Sequence, residues 1–249
     1  ISACLSNVSF ALLLFSALGY FFPAFGAGNN LLSIVCASVF LWFLTALVLR
    51  GVKEAAGINT IVTLAKLVPL GLFVLSIVLL GKFNVNIFMD NFWGEPAGPG
   101  FGEQVVSTMI ALVWVFTGIE GAVVISGRAK YVRDVGRSTA LGFAAVFTLY
   151  LIISMLSLGI MPREEMAQLA TPSMAGILEC AIGPVGAAIV NLGVILSLVG
   201  ALLGYVIIAS ETPFEAARQG SFPLAFAKTN KHDAPVVTVL VSSGITQLF

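Results

Sequence analysis

Val113-Trp114-Val115-Phe116-Thr117-Gly118-Ile119-Glu120-Gly121-Ala122 sets one carboxylate between two glycines, inside an apolar run from Gln104 to Ser126 that holds no other charge. The run has the length of a membrane-spanning helix, which needs about 20 residues. A charge near the bilayer centre costs roughly 2.5–3.5 kcal/mol even on lenient scales, so such a residue is expected to face a cavity or a partner. Glycine is about 1 kcal/mol worse than alanine in a helix. Gly118 and Gly121 around Glu120 therefore point to a local break. Irregular backbone at membrane depth survives only where protein or water satisfies it. A broken helix offers carbonyls from one half and N–H groups from the other, which suit an ammonium and a carboxylate. An α-amino acid carries both. Trp114 lies one helical turn before the break, where an indole face can cover an aliphatic stem or hold a cation. The plainer alternative stays open: Trp114 packs on a neighbouring helix, Glu120 pairs with Lys66, and the glycines allow close packing.

The rest of the chain agrees with a membrane setting. Its 249 residues are 59% hydrophobic and 10% charged, with a mean hydropathy of +1.05. Soluble domains carry about 25% charged residues, so an ordinary cytoplasmic enzyme is excluded. Besides Gln104 to Ser126, five stretches are long enough to span: Cys4 to Phe22, Leu31 to Leu49, Ile58 to Leu80, Ser138 to Met161 and Val185 to Ser210. Period-two alternation is absent, so the expected fold is all-α, a polytopic bundle of membrane helices. A seventh apolar run, residues 236 to 249, is too short to span. The chain opens at Ile1 without a basic leader and closes inside that run, so it reads as a piece of a longer membrane protein.

Basic residues orient the stretches. Arg50, Lys53, Arg128, Lys130, Arg133, Arg137, Arg218, Lys228 and Lys231 fall in links on one side. Only Lys82 and Arg163 fall in the alternate links, beside Asp90, Glu95, Glu103, Glu164, Glu165 and Glu179. The Lys/Arg-rich side is the cytoplasmic one. The first stretch then runs outward, which expects an even number of helices upstream. In the outer links, Pro162-Arg163-Glu164-Glu165 predicts a short helix. Thr171-Pro172-Ser173 predicts a second, ending near Gly183-Pro184. Phe88 to Gly102 reads as an interfacial loop anchored by Trp93.

The remaining polar points narrow the chemistry. Asn7 lies inside the first stretch with Ser6 and Ser9 beside it. Pro69 is expected to kink the third stretch. Gly200 and Gly204 form a small-residue face, followed by Tyr205. Glu211, Glu215 and Arg218 read as a solvated or salt-bridged turn. Cys4, Cys36 and Cys180 are far apart and read as buried free thiols. His232 is the only histidine and sits in a polar loop, so a Ser-His-Asp triad or His-ligated metal has little to build on. Neither GxxxxGK[ST] nor GxGxxG precedes a helix. The net charge of zero gives no footprint for nucleic acid.

Taken together, these residues resemble a known family. Trp114 to Ala122 looks like the unwound sixth helix of the amino acid–polyamine–organocation transporters. Gly127-Arg128-Ala129-Lys130-Tyr131-Val132-Arg133-Asp134-Val135-Gly136-Arg137 resembles the basic loop that follows it. Gly200-Ala201-Leu202-Leu203-Gly204-Tyr205, with Glu211-Thr212-Pro213-Phe214-Glu215-Ala216-Ala217-Arg218-Gln219-Gly220-Ser221-Phe222-Pro223, is similar to the eighth helix and its cytoplasmic turn. The resemblance covers essentially the whole chain and is nearest to the basic amino acid/polyamine antiporter branch, which includes arginine–ornithine and arginine–agmatine exchangers.

The resemblance implies two inverted five-helix repeats with two further helices outside them, of which this chain would span the third helix into the ninth of 12 as one membrane domain. It implies substrate between the broken first and sixth helices. Trp114 would cover the substrate stem as a middle gate, and Glu120 would serve the inner gate. Gly118 and Ile119 would supply unwound backbone. Asn7 matches an asparagine near the guanidinium end, with Ser2 and Ala3 one turn earlier. Tyr205 stands where arginine–agmatine relatives have tryptophan, and Thr117 where some have isoleucine, which leaves the counter-substrate open. The implied protein is a multi-pass antiporter of the bacterial inner membrane. It would exchange arginine for ornithine, or arginine for agmatine or lysine, without a cofactor, and a homodimer is compatible with it. Two other classes compete. A membrane-embedded enzyme would need a second catalytic group at the depth of Glu120, for which Lys66 is the only charged candidate. A channel would need rings of polar groups, and one acid per chain is thin support.

Overall fold

The computed structural model describes residues 2–93, 100–116, 131–169 and 172–249. Among them the chain forms helices and no strand, with one isolated bridge between Thr229 and Pro235. In chain order the helices are α1 (Ser2–Gly19), α2 (Leu31–Arg50), α3 (Val52–Leu79), α4 (Val85–Trp93) and α5 (Phe101–Phe116). They continue as α6 (Val132–Leu158), α7 (Arg163–Ala167), α8 (Ser173–Ile182), α9 (Pro184–Arg218) and α10 (Val236–Leu248). Short 3-10 turns lie at Pro23–Phe25 and Leu224–Ala227. Five of the described helices, α1, α2, α3 from Asn59, α6 and α9, are long and apolar enough to cross a membrane. Their outer faces stay apolar: Leu31, Val39 and Phe43 on α2 and Leu141 on α6 are exposed. None of the apolar window of α6 is buried, against 44% for α9. Apolar surface turned outward on this scale suits lipid, not water.

The chain divides into two compact units, Ile1–Phe73 with Met174–Phe249, and Val74–Ser173. The first is built on α9. Helix α1 lies along α9 more extensively than any other described pair, and α2 and α10 pack on both. Cys4, Asn7, Leu14 and Phe15 are buried on α1, with Asn7 three residues from Cys4 and seven and eight from Leu14 and Phe15, spacings that keep one face of a helix inward. Leu14, Leu44, Leu203 and Val239 join the core from all four helices. The turn between α1 and α2 is held by Asn30, whose Oδ1 accepts from Ser33 N at 2.8 Å and whose Nδ2 donates to Ala24 O at 2.8 Å. This is an N-cap that satisfies a donor the helix start leaves open. Gly28, at φ 84°, packs against the Leu12 carbonyl so closely that a Cβ there would clash.

Helix α10 is the polar seam of this unit. Ser243 Oγ and Thr45 Oγ1 of α2 are 2.7 Å apart. Ser242 Oγ donates to Ala209 O of α9 at 2.9 Å, and Cys4 Sγ of α1 donates to Ser242 O at 3.6 Å. Helix α3 touches α9 along a row of glycines. A Cβ at Gly193 would lie 2.5 Å from Pro69 Cβ, one at Gly200 2.9 Å from Val62 Cγ1, and one at Gly204 3.5 Å from Asn59 Nδ2. Helix α3 runs through Pro69 without ending there.

In the second unit α4 packs on α6. Asn91 binds the end of α6 to the start of α7: its Nδ2 donates to Leu158 O at 2.6 Å and Met161 O at 2.9 Å, and its Oδ1 accepts from Arg163 N at 2.8 Å.

Several expectations are corrected. Phe88 to Trp93 is helix, not loop. Asn84 Oδ1 accepts from Asn86 N and Ile87 N at 2.9 and 3.4 Å, a cap that starts α4. Helix α9 runs eight residues past Ser210. Glu211 is 1% exposed, not solvated, because it shares the inward face with Phe214. Glu215 and Arg218 do form the expected ion pair, at 3.1 Å. Only Cys4 of the three free thiols is buried; Cys180 is exposed on α8.

Candidate functional site

The described part of the candidate site is built where α1 meets α9. Ser2, Ala3 and Asn7 are all on α1, Ser2 exposed and Ala3 half-buried at its first turn. Asn7 is buried, 1% exposed, and its Oδ1 has no hydrogen-bond partner among the described residues. A buried acceptor left unmet costs about 1–3 kcal/mol. One turn further along, Phe10 meets the ring of Tyr205 from α9, with centroids 5.1 Å apart and planes at 75°. Residues i and i+3 share a helix face, so Asn7 and Phe10 belong to one side of α1. Asn59 of α3 lies over Gly200 and Gly204, directly before Tyr205. Helix α9 thus meets a ring of α1 and an amide of α3 along one stretch, and Asn7 lies one turn along α1 from that ring. Such a set can accept a donor group and face a cation.

Trp114 lies within α5, two residues before Phe116. Thr117, Gly118, Ile119 and Glu120 lie outside the described residues. Among the described residues no three His, Cys, Asp or Glu side chains gather as metal ligands would. His232 is exposed, and its N–H donates to Asn230 Oδ1 at 2.9 Å.

Sequence reasoning singled out Asn7 and Tyr205 but missed Phe10. Its three-residue spacing from Asn7 was the available signal; its pairing with Tyr205 depends on how α1 docks on α9.

The family model described as amino acid permease matches residues 1–249. The chain is similar to a protein of Pseudomonas aeruginosa named arginine/ornithine antiporter, at 45% identity over 100% of this chain and 52% of the relative. It is also similar to a putative arginine/ornithine antiporter of Escherichia coli, at 43% identity over 99% of this chain and 54% of the relative. An arginine/agmatine antiporter of Chlamydia trachomatis is 38% identical over 97% of this chain and 50% of its own length. The chain spans about half the length of the curated relatives it matches.

Proposed function

The chain belongs to the amino acid permease family, and from that premise we propose that the whole protein is a secondary antiporter exchanging arginine for ornithine. In this reading it is a multi-pass protein of the bacterial inner membrane, working by alternating access around a site near the midplane. Exchange makes and breaks no covalent bond, so the reading needs neither a nucleophile nor a cofactor. The chain supplies the third to ninth of 12 helices, in a fold of two inverted five-helix repeats. A homodimer is compatible with this reading.

The observation that carries it is Asn7. Its unmet Oδ1 is an acceptor inside an apolar bundle, on the same side of α1 as the Phe10–Tyr205 pair. A guanidinium or ammonium group supplies the missing donor, and an aromatic face beside it suits the charge. Ser2 and Ala3, one turn earlier, line the same end. Trp114 covers the aliphatic stem, Thr117, Gly118 and Ile119 receive the α-amino and carboxylate groups, and Glu120 serves the inner gate. Relatives named for arginine–ornithine exchange support the substrate pair. The relative named for arginine and agmatine supports a second reading with agmatine as counter-substrate.

The test is arginine binding to the purified full-length protein by calorimetry. A hydrogen bond to a charged group contributes about 1.5–3 kcal/mol, so Asn7→Ala weakens arginine binding by about tenfold or more. Unchanged affinity removes Asn7 from the site. Competition by ornithine and agmatine against bound arginine separates the two readings.

A further inference from the structure

We infer that the end of the bundle where α2 stops and α10 starts binds an anionic phospholipid, with Arg50, Lys228 and Lys231 for its headgroup and Phe222 and Leu224 against its chains. One hydrogen bond brings the cations together. Asn230 Nδ2 donates to Leu49 O at 2.6 Å, which fastens the turn before α10 to the last turn of α2. Arg50 follows Leu49, and Lys228 and Lys231 lie within two residues of Asn230. The turn is held in shape by the Thr229–Pro235 bridge and by Asn230 Oδ1, which accepts from His232 N and Ala234 N. All three cations are exposed. Among the described residues none of them is in an ion pair, whereas Arg218 nearby along the chain is held by Glu215. Asp233 is the one acid between Gln219 and Pro235. Arg50 alone would be explained by the dipole of α2; Lys228 and Lys231 are not on that helix.

The apolar half lies on the same link. Leu224 is 78% exposed and Phe222 45%. Leu224 opens the 3-10 turn that packs on α9 and α10, and Phe222 meets Phe226 of that turn edge-to-face at 5.0 Å. Helix α2 is 20 residues long, about the thickness of a bilayer core, so an α2 that spans ends with Arg50 at headgroup depth. Cations at that depth attract acidic headgroups, and apolar side chains beside them gain by leaving water for acyl chains. A phospholipid with a negative headgroup supplies both. The inference goes beyond the exchanger reading and does not depend on which amino acid is carried.

The experiment titrates the full-length protein in detergent with phosphatidylglycerol, and with phosphatidylethanolamine as the zwitterionic reference, and reads bound lipid by native mass spectrometry. The wild type prefers phosphatidylglycerol, and replacing Arg50, Lys228 or Lys231 by Gln lowers that preference by about fivefold each, the effect of one basic group near an anionic surface. Lys82→Gln, an exposed cation in another link, leaves it unchanged. Phe222→Ser with Leu224→Ser weakens both lipids alike. Glycerol phosphate, a headgroup without chains, does not displace the lipid. In vesicles of brominated phosphatidylglycerol, Leu224→Trp shows quenching beyond that of the wild type. An unaltered preference in the triple Gln variant overturns the inference, and so does an equal loss in Lys82→Gln, which would make the effect one of general charge. Displacement by glycerol phosphate overturns it in favour of a soluble anion. Absence of added quenching at Leu224→Trp overturns it in favour of cover by another part of the full-length chain. Wild-type protein that prefers phosphatidylglycerol but exchanges no arginine strikes the exchanger reading alone.

Discussion

Asn230 reaches across 181 residues of sequence to donate its Nδ2 to the carbonyl of Leu49 at 2.6 Å. Leu49 lies in the last turn of α2, where the helix leaves its carbonyls without partners. The same amide's Oδ1 accepts from His232 N at 2.9 Å and Ala234 N at 3.1 Å, while Asn230 N donates to Ala234 O at 3.0 Å. One side chain thus closes the turn that feeds α10 and fastens it to α2. Asn230→Ala is expected to destabilise the full-length protein by about 1–3 kcal/mol, read as a lower melting temperature in detergent. Asn230→Asp keeps the two acceptor bonds but turns a carboxylate oxygen toward the Leu49 carbonyl in place of the donor, so it too is expected to destabilise. Equal melting temperatures for wild type and Asn230→Ala would show that the turn is held by other contacts.

Gly193 and Gly204 make opposite predictions from the same helix face. A methyl group at Gly193 meets Pro69 Cβ and Cγ at 2.5 Å, and a proline ring in a helix has nowhere to turn. A methyl group at Gly204 meets Asn59 Nδ2 at 3.5 Å, which is ordinary contact. Gly193→Ala is expected to cost about 1–3 kcal/mol by overpacking. Gly204→Ala is expected to be close to neutral. Thermal unfolding of the two full-length variants side by side checks the contrast; equal losses would mean that α3 does not lie against α9 as described.

Thr45 and Ser243 form a buried pair whose two halves are unequal. Thr45 Oγ1 donates to Leu41 O at 2.8 Å and lies 2.7 Å from Ser243 Oγ. With the threonine proton used on Leu41, Ser243 is the donor between them. Thr45→Val then strands the Ser243 hydroxyl and costs about 1–3 kcal/mol, whereas Ser243→Ala leaves Thr45 still bonded to Leu41 and costs less. The double variant costs less than the sum of the two. Strict additivity in a double-mutant cycle would contradict this pairing.

These predictions mark where the sequence was readable. The apolar runs gave away the long helices, because length and freedom from charge are local properties. The Gly183–Pro184 boundary was readable for the same reason: Gly183 sits at φ 82° before a proline that opens α9. The helix from Val85 to Trp93 was missed because its proximity to Gly and Pro outweighed the Asn84 cap. The polar seam on α10 was also missed, although Thr238, Ser242 and Thr246 recur every four residues. In the candidate site, Asn7 stood out as a polar residue in an uncharged run. The Asn230–Leu49 and Phe10–Tyr205 contacts were out of reach, because each depends on which helices dock across most of the chain.

Asn91 makes a separate case for the C-terminal end of α6. Its amide holds two carbonyls and one N–H at the junction with α7. Asn91→Ala leaves all three without that partner and is expected to lower stability by about 1–3 kcal/mol. Hydrogen exchange at Arg163, whose N–H donates to Asn91 Oδ1, reports the loss directly; unchanged protection there would contradict it.

Uptake of labelled arginine into liposomes bearing the full-length protein tests the exchanger account most directly. The account predicts that ornithine inside the vesicles stimulates uptake several-fold over empty vesicles. It also predicts that Trp114→Leu weakens the apparent arginine affinity and that Glu120→Ala lowers exchange. Arginine entry at the same rate into empty and ornithine-loaded vesicles would contradict the account.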